Sequence, residues 1–278
     1  MTPKDIIVFL EDTPHWNTRL SYAGKLAHRW RAHLTCVFVV DGLELHLHSD
    51  YAIGDGITEM LKTFGDSMRT AEAEMRAAFD KIICDLNLQG TWRRFNHERD
   101  QRLMLYARYA GLAIIGGGAR PNKAQTRLGL SGELIFASGR PVLLLPENWP
   151  VSRMPNSIVI AWNGSAEAAR AVANAMPFLF EAARIDVVVV QQIGAHKIVD
   201  FDPGSELKAH LARSGLNAEL HLLEGRETGK LILDFATSNS ADLLVMGAYG
   251  RSKLSESVLG GTTRHLLRNS AIPIILSL

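Results

Sequence analysis

The run Ile6-Ile7-Val8-Phe9-Leu10-Glu11-Asp12 resembles a second run, Ile158-Val159-Ile160-Ala161-Trp162-Asn163, because both are β-branched stretches that end on Asp or Asn. Setting Asp12 against Asn163 gives an offset of 151 residues (163 minus 12), and the same offset places residues 37–40 on residues 188–191. Self-similarity at a fixed offset indicates an internal repeat. The chain is therefore predicted to hold two copies of one fold.

The two copies also match near their ends, where the runs 140–145 and 272–276 both continue from a proline into apolar residues. The offset there is 132 (273 minus 141), so the first copy is longer by 19 residues (151 minus 132). We place the extra residues between 41 and 89, where a long polar helix is expected. Residues 146–155 contain three prolines, which block helix and sheet alike, and are predicted to be the linker.

Within each copy, strand-like and helix-like stretches alternate, which is typical of a parallel sheet covered by helices on both faces. Continuous apolar runs such as residues 185–190 suit strands that are buried on both faces. The predicted fold class is α/β, with two tandem flavodoxin-like or Rossmann-like domains at residues 1–148 and 154–278. In the second domain we predict strands near 157–162, 185–191, 217–223, 242–247 and 272–277, and helices near 165–181, 203–214, 227–239 and 256–269.

Length and charge exclude several classes of protein. At roughly 150 residues per domain, 278 residues allow two ordinary cores. A net charge of +1 gives no general attraction to nucleic acid or anionic lipid, and no apolar run approaches the ~20 residues of a membrane span. Signal-peptide features are absent at the start, and Cys36 and Cys84 are predicted as core residues in a reducing compartment. We therefore expect a cytoplasmic protein without nucleic-acid or membrane partners.

A glycine-rich segment follows the fourth strand of the second copy. Gly247 is followed by two residues, Gly250, nine residues and Gly260, and then by Gly261-Thr262-Thr263. Ligands of an open parallel sheet bind beyond the carboxyl ends of its strands. Glycines let backbone N–H groups approach a phosphate closely, and a helix N-terminus adds donors and partial positive charge. The segment predicts a phosphate site; the alternative is that these glycines only turn the chain before a threonine N-cap.

With this repeat and this glycine spacing, the chain resembles a tandem universal stress protein of the UspA-like family. The resemblance covers both copies and implies a five-stranded parallel sheet in the order 3-2-1-4-5 in each. It also implies ATP, with Mg²⁺, as the ligand of the second copy, bound by the glycine loop and by the carboxyl end of the first strand. The nucleotide-binding residues implied by the resemblance are Ala161, Trp162, Asn163, Met246, Gly247, Gly250, Gly260, Gly261, Thr262 and Thr263.

Three departures from the family pattern stand out. Gly261 occupies a position where the family has Ser or Thr, and Asn163 one where nucleotide-binding members usually have Asp. Asn163 can still donate and accept hydrogen bonds, or it can simply N-cap the helix that begins near residue 165. The first copy keeps Asp12, but two residues beyond Gly117 lies Arg120 instead of glycine. That copy is predicted to be structural or to bind something else.

Other patterns are assigned less specific roles. The run Gly225–Leu231 resembles a P-loop but has three residues between its glycines instead of four, so we predict that it starts a helix. His46, His48 and Asp50 share one face of an extended chain but have no further ligand, so they are interpreted as surface residues. For Arg264, a solvated helix face is favoured over a phosphate contact. No metal ligand and no catalytic residue is assigned.

The resemblance implies a stress-response protein that binds an adenine nucleotide in its second copy and acts as a regulatory module. A general base for hydrolysis is not evident. Two alternatives stay open: an interaction protein whose nucleotide sites have decayed, and a slow ATP hydrolase, whose ADP release a Gly260→Asp variant would abolish. Two similar domains in one chain reproduce an isologous dimer internally, and whether two chains form a further homodimer is left open.

Overall fold

The computed structural model describes residues 2–40, 55–96, 102–117, 138–191, 202–248 and 261–278, which contain ten strands and seven helices. The first half consists of β1 (Asp5–Leu10), α1 (Trp16–Trp30), β2 (His33–Val40), α2 (Asp55–Asp85), β3 (Gly90–Asn96), α3 (Arg102–Tyr109), β4 (Leu112–Gly117) and β5 (Val142–Pro146). The second half consists of β6 (Ser157–Ala161), α4 (Ala166–Leu179), β7 (Arg184–Gln191), α5 (Pro203–Arg213), β8 (Glu219–Glu224), α6 (Thr228–Ser238), β9 (Leu243–Gly247), α7 (Gly261–Asn269) and β10 (Ile274–Ser277).

All ten strands belong to one sheet, in the order β3-β2-β1-β4-β5-β10-β9-β6-β7-β8. Within each half the order is 3-2-1-4-5 with parallel neighbours, which confirms the predicted fold. The halves join where β5 pairs antiparallel with β10, with Ile274 opposite Leu144. The sequence predicts one sheet in each half and does not predict this junction. Strands β5 and β6, which flank the linker, are not neighbours in the sheet.

The predicted elements of the second half are present with small shifts. Each of its five strands lies within two residues of its predicted bounds. The extra length of the first half is also where it was expected, because α2 has 31 residues and its counterpart α5 has 11. Among the described residues, no helix combines the length and apolar character needed to cross a bilayer.

Helices cover both faces of the sheet, which explains the uninterrupted apolar runs of its strands. In β1, Ile6 and Val8 belong to the core cluster on the α1 side, whereas Ile7 and Phe9 belong to the cluster on the α3 side. Consecutive residues of a strand point to opposite faces, so each strand contributes to both cores.

The two cysteines differ in their surroundings. Cys36 is fully buried in β2, and burial raises the pKa of its thiol well above the ordinary value. Cys84 is exposed on α2, so the prediction that both cysteines lie in the core is wrong for Cys84. A long helix with many polar residues turns one side to solvent, and Cys84 lies on that side.

Helices α1 and α4 connect the two halves around the junction of the sheets. Trp30 packs edge-on against Phe178 with ring centroids 4.7 Å apart, and its Nε1 donates to Glu181 Oε1 at 3.1 Å. Six of the eight buried positions of α1 recur in α4 at an offset of 148 (178 minus 30). The offset between the helices is therefore three residues smaller than the offset of 151 between the strands. The prediction of one gapless offset of 151 is wrong for the helices.

The linker packs against the second half. Trp149 is buried, its Nε1 donates to the Arg153 carbonyl at 3.2 Å, and the Arg153 guanidinium lies over its ring at 5.0 Å. Asp242 then accepts three hydrogen bonds from the linker region: from Arg153 Nε, from the Asn156 N–H at 3.0 Å and from the Ser157 N–H at 2.9 Å. These bonds fix the path of the chain into β6.

Candidate functional site

The candidate site lies at the carboxyl ends of β6 and β9, which are neighbours in the sheet. Ala161 ends β6 beside Met246 of β9, and both side chains are buried. From β6 the chain continues to β7 on one side, and from β9 to β10 on the other, so a topological switch point lies between them. Open α/β sheets bind ligands in the crevice at such points. The structure thus brings these two predicted residues together.

Gly247 allows the end of β9 to touch the first turn of α4. A Cβ added to Gly247 would collide with the backbone nitrogen of Ala168 and would lie 2.6 Å from the carbonyl carbon of Glu167. No side chain can be accommodated against a rigid backbone at that distance. The glycine therefore holds the start of α4, with the partial positive charge of its N-terminus, beside the start of the glycine loop.

The loop between β6 and α4 is fixed by two side-chain caps. Ser165 is the N-cap of α4, and its Oγ accepts from the Ala168 N–H at 3.1 Å. Asn163 Oδ1 accepts from the Ser165 N–H at 3.1 Å, so Asn163 supports the turn and is not itself the N-cap. Among the described residues its exposed amide nitrogen has no acceptor, and it is therefore available to a ligand.

Trp162 has a structural role at this edge. Its backbone N–H donates to the Val188 carbonyl at 2.9 Å, and its Nε1 donates to the Pro203 carbonyl at 2.8 Å. The indole therefore ties the end of β6 to the start of α5 and forms one wall of the loop region.

The far end of the glycine loop is described only from Gly261 onward, so Gly250 and Gly260 lie outside the described residues, as do His46, His48 and Asp50. Gly261 begins α7, and a Cβ there would meet no atom of the described residues within 4 Å. Thr262 is half-buried and Thr263 is buried.

Arg264, in the first turn of α7, is less exposed than the solvated helix face that the sequence favoured. The residue is half-buried, and its Nε atom is buried without a hydrogen-bond partner among the described residues. Buried polar groups are rarely left unpaired in folded proteins. An anion at the start of α7 would give this nitrogen an acceptor.

The P-loop-like run Gly225–Leu231 starts a helix, as predicted, because α6 begins at Thr228. Its Gly229 packs against the start of α7: a Cβ there would lie 3.0 Å from His265 Cβ and 3.1 Å from the Thr262 carbonyl oxygen. This glycine allows α6 and α7 to approach each other and so positions the end of the glycine loop.

The first half fills the equivalent crevice with its own side chain. Gly116, and not Gly117, corresponds to Gly247, because each lies beside the matching position of the last strand of its half. A Cβ on Gly116 would lie 2.7 Å from Cζ of Arg19, which is buried and donates from Nη1 to the Phe9 carbonyl at 2.8 Å.

The second-half counterpart of Arg19, at the offset of 148, is Glu167. Its carboxylate is buried and accepts from Arg170 Nη2 at 3.2 Å. The equivalent positions of the two halves therefore carry side chains of opposite charge, and in the second half Arg170 balances the charge of Glu167. Neither residue is predicted from the sequence when strands and helices are given one offset; the spacing of apolar residues along the two helices is the signal that reveals the shift.

Comparison with known proteins gives a match to a family model, a match to a curated relative and matches to solved structures. The model of the universal stress protein family matches residues 154–277. A curated relative, the universal stress protein Slr1230 of Synechocystis sp., is 29% identical over 154 residues, which cover 55% of this chain and 52% of the relative. The match thus spans about half the length of that relative.

Solved structures match the chain over its whole length or nearly so. A universal stress protein from Archaeoglobus fulgidus superposes with a TM-score of 0.72 at 16% identity, covering 100% of this chain and 99% of its own. A putative universal stress protein from Pseudomonas aeruginosa gives a TM-score of 0.63 at 16% identity, covering 99% and 93%. Residues 154–277 therefore belong to the universal stress protein family, and the chain as a whole has the fold of a tandem universal stress protein.

Proposed function

We propose that this protein binds one adenine nucleotide, ATP with Mg²⁺, in the crevice between β6 and β9, and acts as a regulatory binding module in a stress response. The observation that carries the proposal is the contact of Gly247 with the first turn of α4. This contact has no room for a side chain, and it sets the start of the glycine loop against a helix N-terminus at the switch point.

Each proposed contact has a chemical basis. Backbone N–H groups of the glycine loop and the start of α7 bind the phosphates, which also provide an acceptor for Arg264 Nε. The Asn163 amide donates to a ribose hydroxyl, while Ala161, Trp162 and Met246 border the adenosine. Thr262 and Thr263 complete the start of α7, where the half-buried Thr262 offers a hydroxyl to the phosphates. A side chain placed to act as general base is not among these contacts, so a binding role fits better than hydrolysis.

Binding of a single nucleotide per chain follows from the difference between the two halves. In the first half the Arg19 guanidinium occupies the space beside Gly116 and is bonded to the end of β1. A nucleotide entering there would have to displace a buried, hydrogen-bonded cation, which is costly.

Equilibrium dialysis with millimolar ATP and Mg²⁺ tests the proposal. We expect saturable binding of one ATP per chain, with no steady release of ADP on prolonged incubation. Absence of binding at this concentration would contradict the proposal and favour an interaction protein with decayed sites. Sustained ADP release that a Gly260→Asp variant abolishes would instead identify a slow hydrolase.

A Gly261→Ser variant is expected to bind ATP about fivefold more tightly, since a hydroxyl donor to phosphate contributes roughly 1 kcal/mol. A side chain is expected to fit there because a Cβ on Gly261 meets no atom of the described residues within 4 Å. Gly261→Ala is the matched control, since it fills the same space without a hydroxyl and should leave the affinity nearly unchanged. Equal affinities of the two variants, measured by calorimetric titration, would show that position 261 does not face the phosphates.

A further inference from the structure

A cluster of one histidine and two carboxylates lies near the amino ends of β7 and β8, the opposite end of these strands from the nucleotide crevice. Asp186 of β7 pairs directly with Glu219 of β8, and His221 is two residues further along β8. Alternate residues of a strand share a face, so the backbone register itself brings the three side chains together. His221 Nε2 lies 2.9 Å from Asp186 Oδ1 and 3.9 Å from Glu219 Oε2.

The ligand atoms of this cluster are close enough to share one ion. All three lie within 4.8 Å of one another. The His221 ring is packed against Phe235 with centroids 4.7 Å apart, which restricts its orientation. No metal ligand is predicted from the sequence because the usual signal is a short spacing between ligands, whereas Asp186 and His221 are 35 residues apart in the chain.

The charges of the cluster are only partly balanced by the protein. The Asp186 side chain is fully buried, and Arg184 Nε lies 2.9 Å from its Oδ2. With neutral histidine, the two carboxylates and this one guanidinium leave a net negative charge. The Arg184 side chain is 42% exposed and also donates to Asn239 Oδ1 at 3.0 Å, so it can turn away from Asp186 without losing every partner.

The first half shows that the fold does not require these residues. Its strand registers place Thr35, Thr91 and Arg93 at the positions of Asp186, Glu219 and His221. None of the three can supply a carboxylate or an imidazole. The second half alone therefore carries a metal-ligating set at this place among the described residues.

We propose that Asp186, Glu219 and His221 bind a divalent transition-metal ion such as Zn²⁺, with water in the remaining position. One imidazole nitrogen and two carboxylate oxygens are ligands that zinc accepts, and an imidazole disfavours Mg²⁺ and Ca²⁺. The bound ion ties the edge strand β8 to β7. This site is separate from the proposed nucleotide crevice and does not depend on ATP binding.

Calorimetric titration of the full chain with zinc chloride tests the site. We expect Glu219→Gln to weaken zinc binding about tenfold, because it removes a ligand oxygen from a side chain that is 75% exposed and so leaves the fold intact. Glu224→Gln, the same exposed change at the other end of β8, is the control and should bind like the unmodified protein. Equal affinities of the two variants, or no zinc binding at micromolar protein concentration, would overturn the proposal.

Three further variants distinguish a metal site at this cluster from binding by other histidines and from a purely structural ion pair. His221→Ala should lose the zinc site, whereas His210→Ala on the exposed face of α5 should retain it. Arg184→Gln should bind zinc more tightly, because it removes the cation that competes for Asp186. The proposal requires that zinc and Arg184 compete for the Asp186 carboxylate. An unchanged or weaker zinc affinity in folded Arg184→Gln protein would contradict it.

Discussion

Replacing Asp242 by alanine is expected to lower the free energy of unfolding by about 3 kcal/mol, the range found when one partner of a buried charged network is removed. The carboxylate is 6% exposed and accepts from the Asn156 and Ser157 N–H groups and from Arg153. Alanine leaves these donors without their acceptor at the point where the linker enters β6. Urea unfolding followed by circular dichroism measures the loss, provided that the slope with denaturant is unchanged.

Asp234→Ala is the control for this experiment. Asp234 is exposed on α6, and such surface changes usually alter stability by less than about 0.5 kcal/mol. A loss in Asp242→Ala no larger than in Asp234→Ala would show that the linker is not anchored by this carboxylate. The comparison separates the anchoring network from the general effect of removing a negative charge.

The strands and helices of each half could be predicted from local sequence patterns, but the junction of the two halves in one sheet could not. Apolar runs and prolines predict each strand and helix because the formation of one element depends mainly on residues that are neighbours in the chain. Pairing of β5 with β10 depends on two segments about 130 residues apart, of similar composition, neither of which selects its partner by pattern. A signal did exist: both last strands are continuous apolar runs, and an apolar strand at an exposed sheet edge invites association.

Only part of the candidate site could be predicted, because only some of its residues have a signal in the local sequence. Gly247 follows from the glycine spacing and Ala161 and Met246 from the family resemblance, and the structure brings the three to one switch point. Arg19 and Glu167 were missed because their equivalence depends on helix positions that are shifted by three residues relative to the strands. Side chains that fill a crevice are set by packing between elements, which a search for motifs does not register.

Replacing Gly250 by valine is expected to weaken ATP binding at least a hundredfold, about 2.7 kcal/mol, if the glycine loop binds phosphate through its backbone. A β-branched side chain at this position keeps the N–H groups of the loop from approaching the phosphates closely. Calorimetric titration with ATP and Mg²⁺ measures the effect. Thermal unfolding is followed in parallel, because replacing a glycine also changes stability in the absence of ligand.

Gly117→Val, the same change in the other half, should leave ATP binding unaffected. Among the described residues, the nearest atom to a Cβ on Gly117 is the Leu145 carbonyl oxygen at 3.4 Å, an ordinary contact, so we expect the first half to accept the change. Its crevice is closed by Arg19 and does not contribute to the single site. Two equivalent ATP sites per chain, or binding lost in folded Gly117→Val protein and retained in Gly250→Val, would refute the asymmetry. The second of these results would assign the nucleotide to the first half, in which the glycine spacing is broken. Arg19 would then be a ligand-binding cation instead of an obstruction.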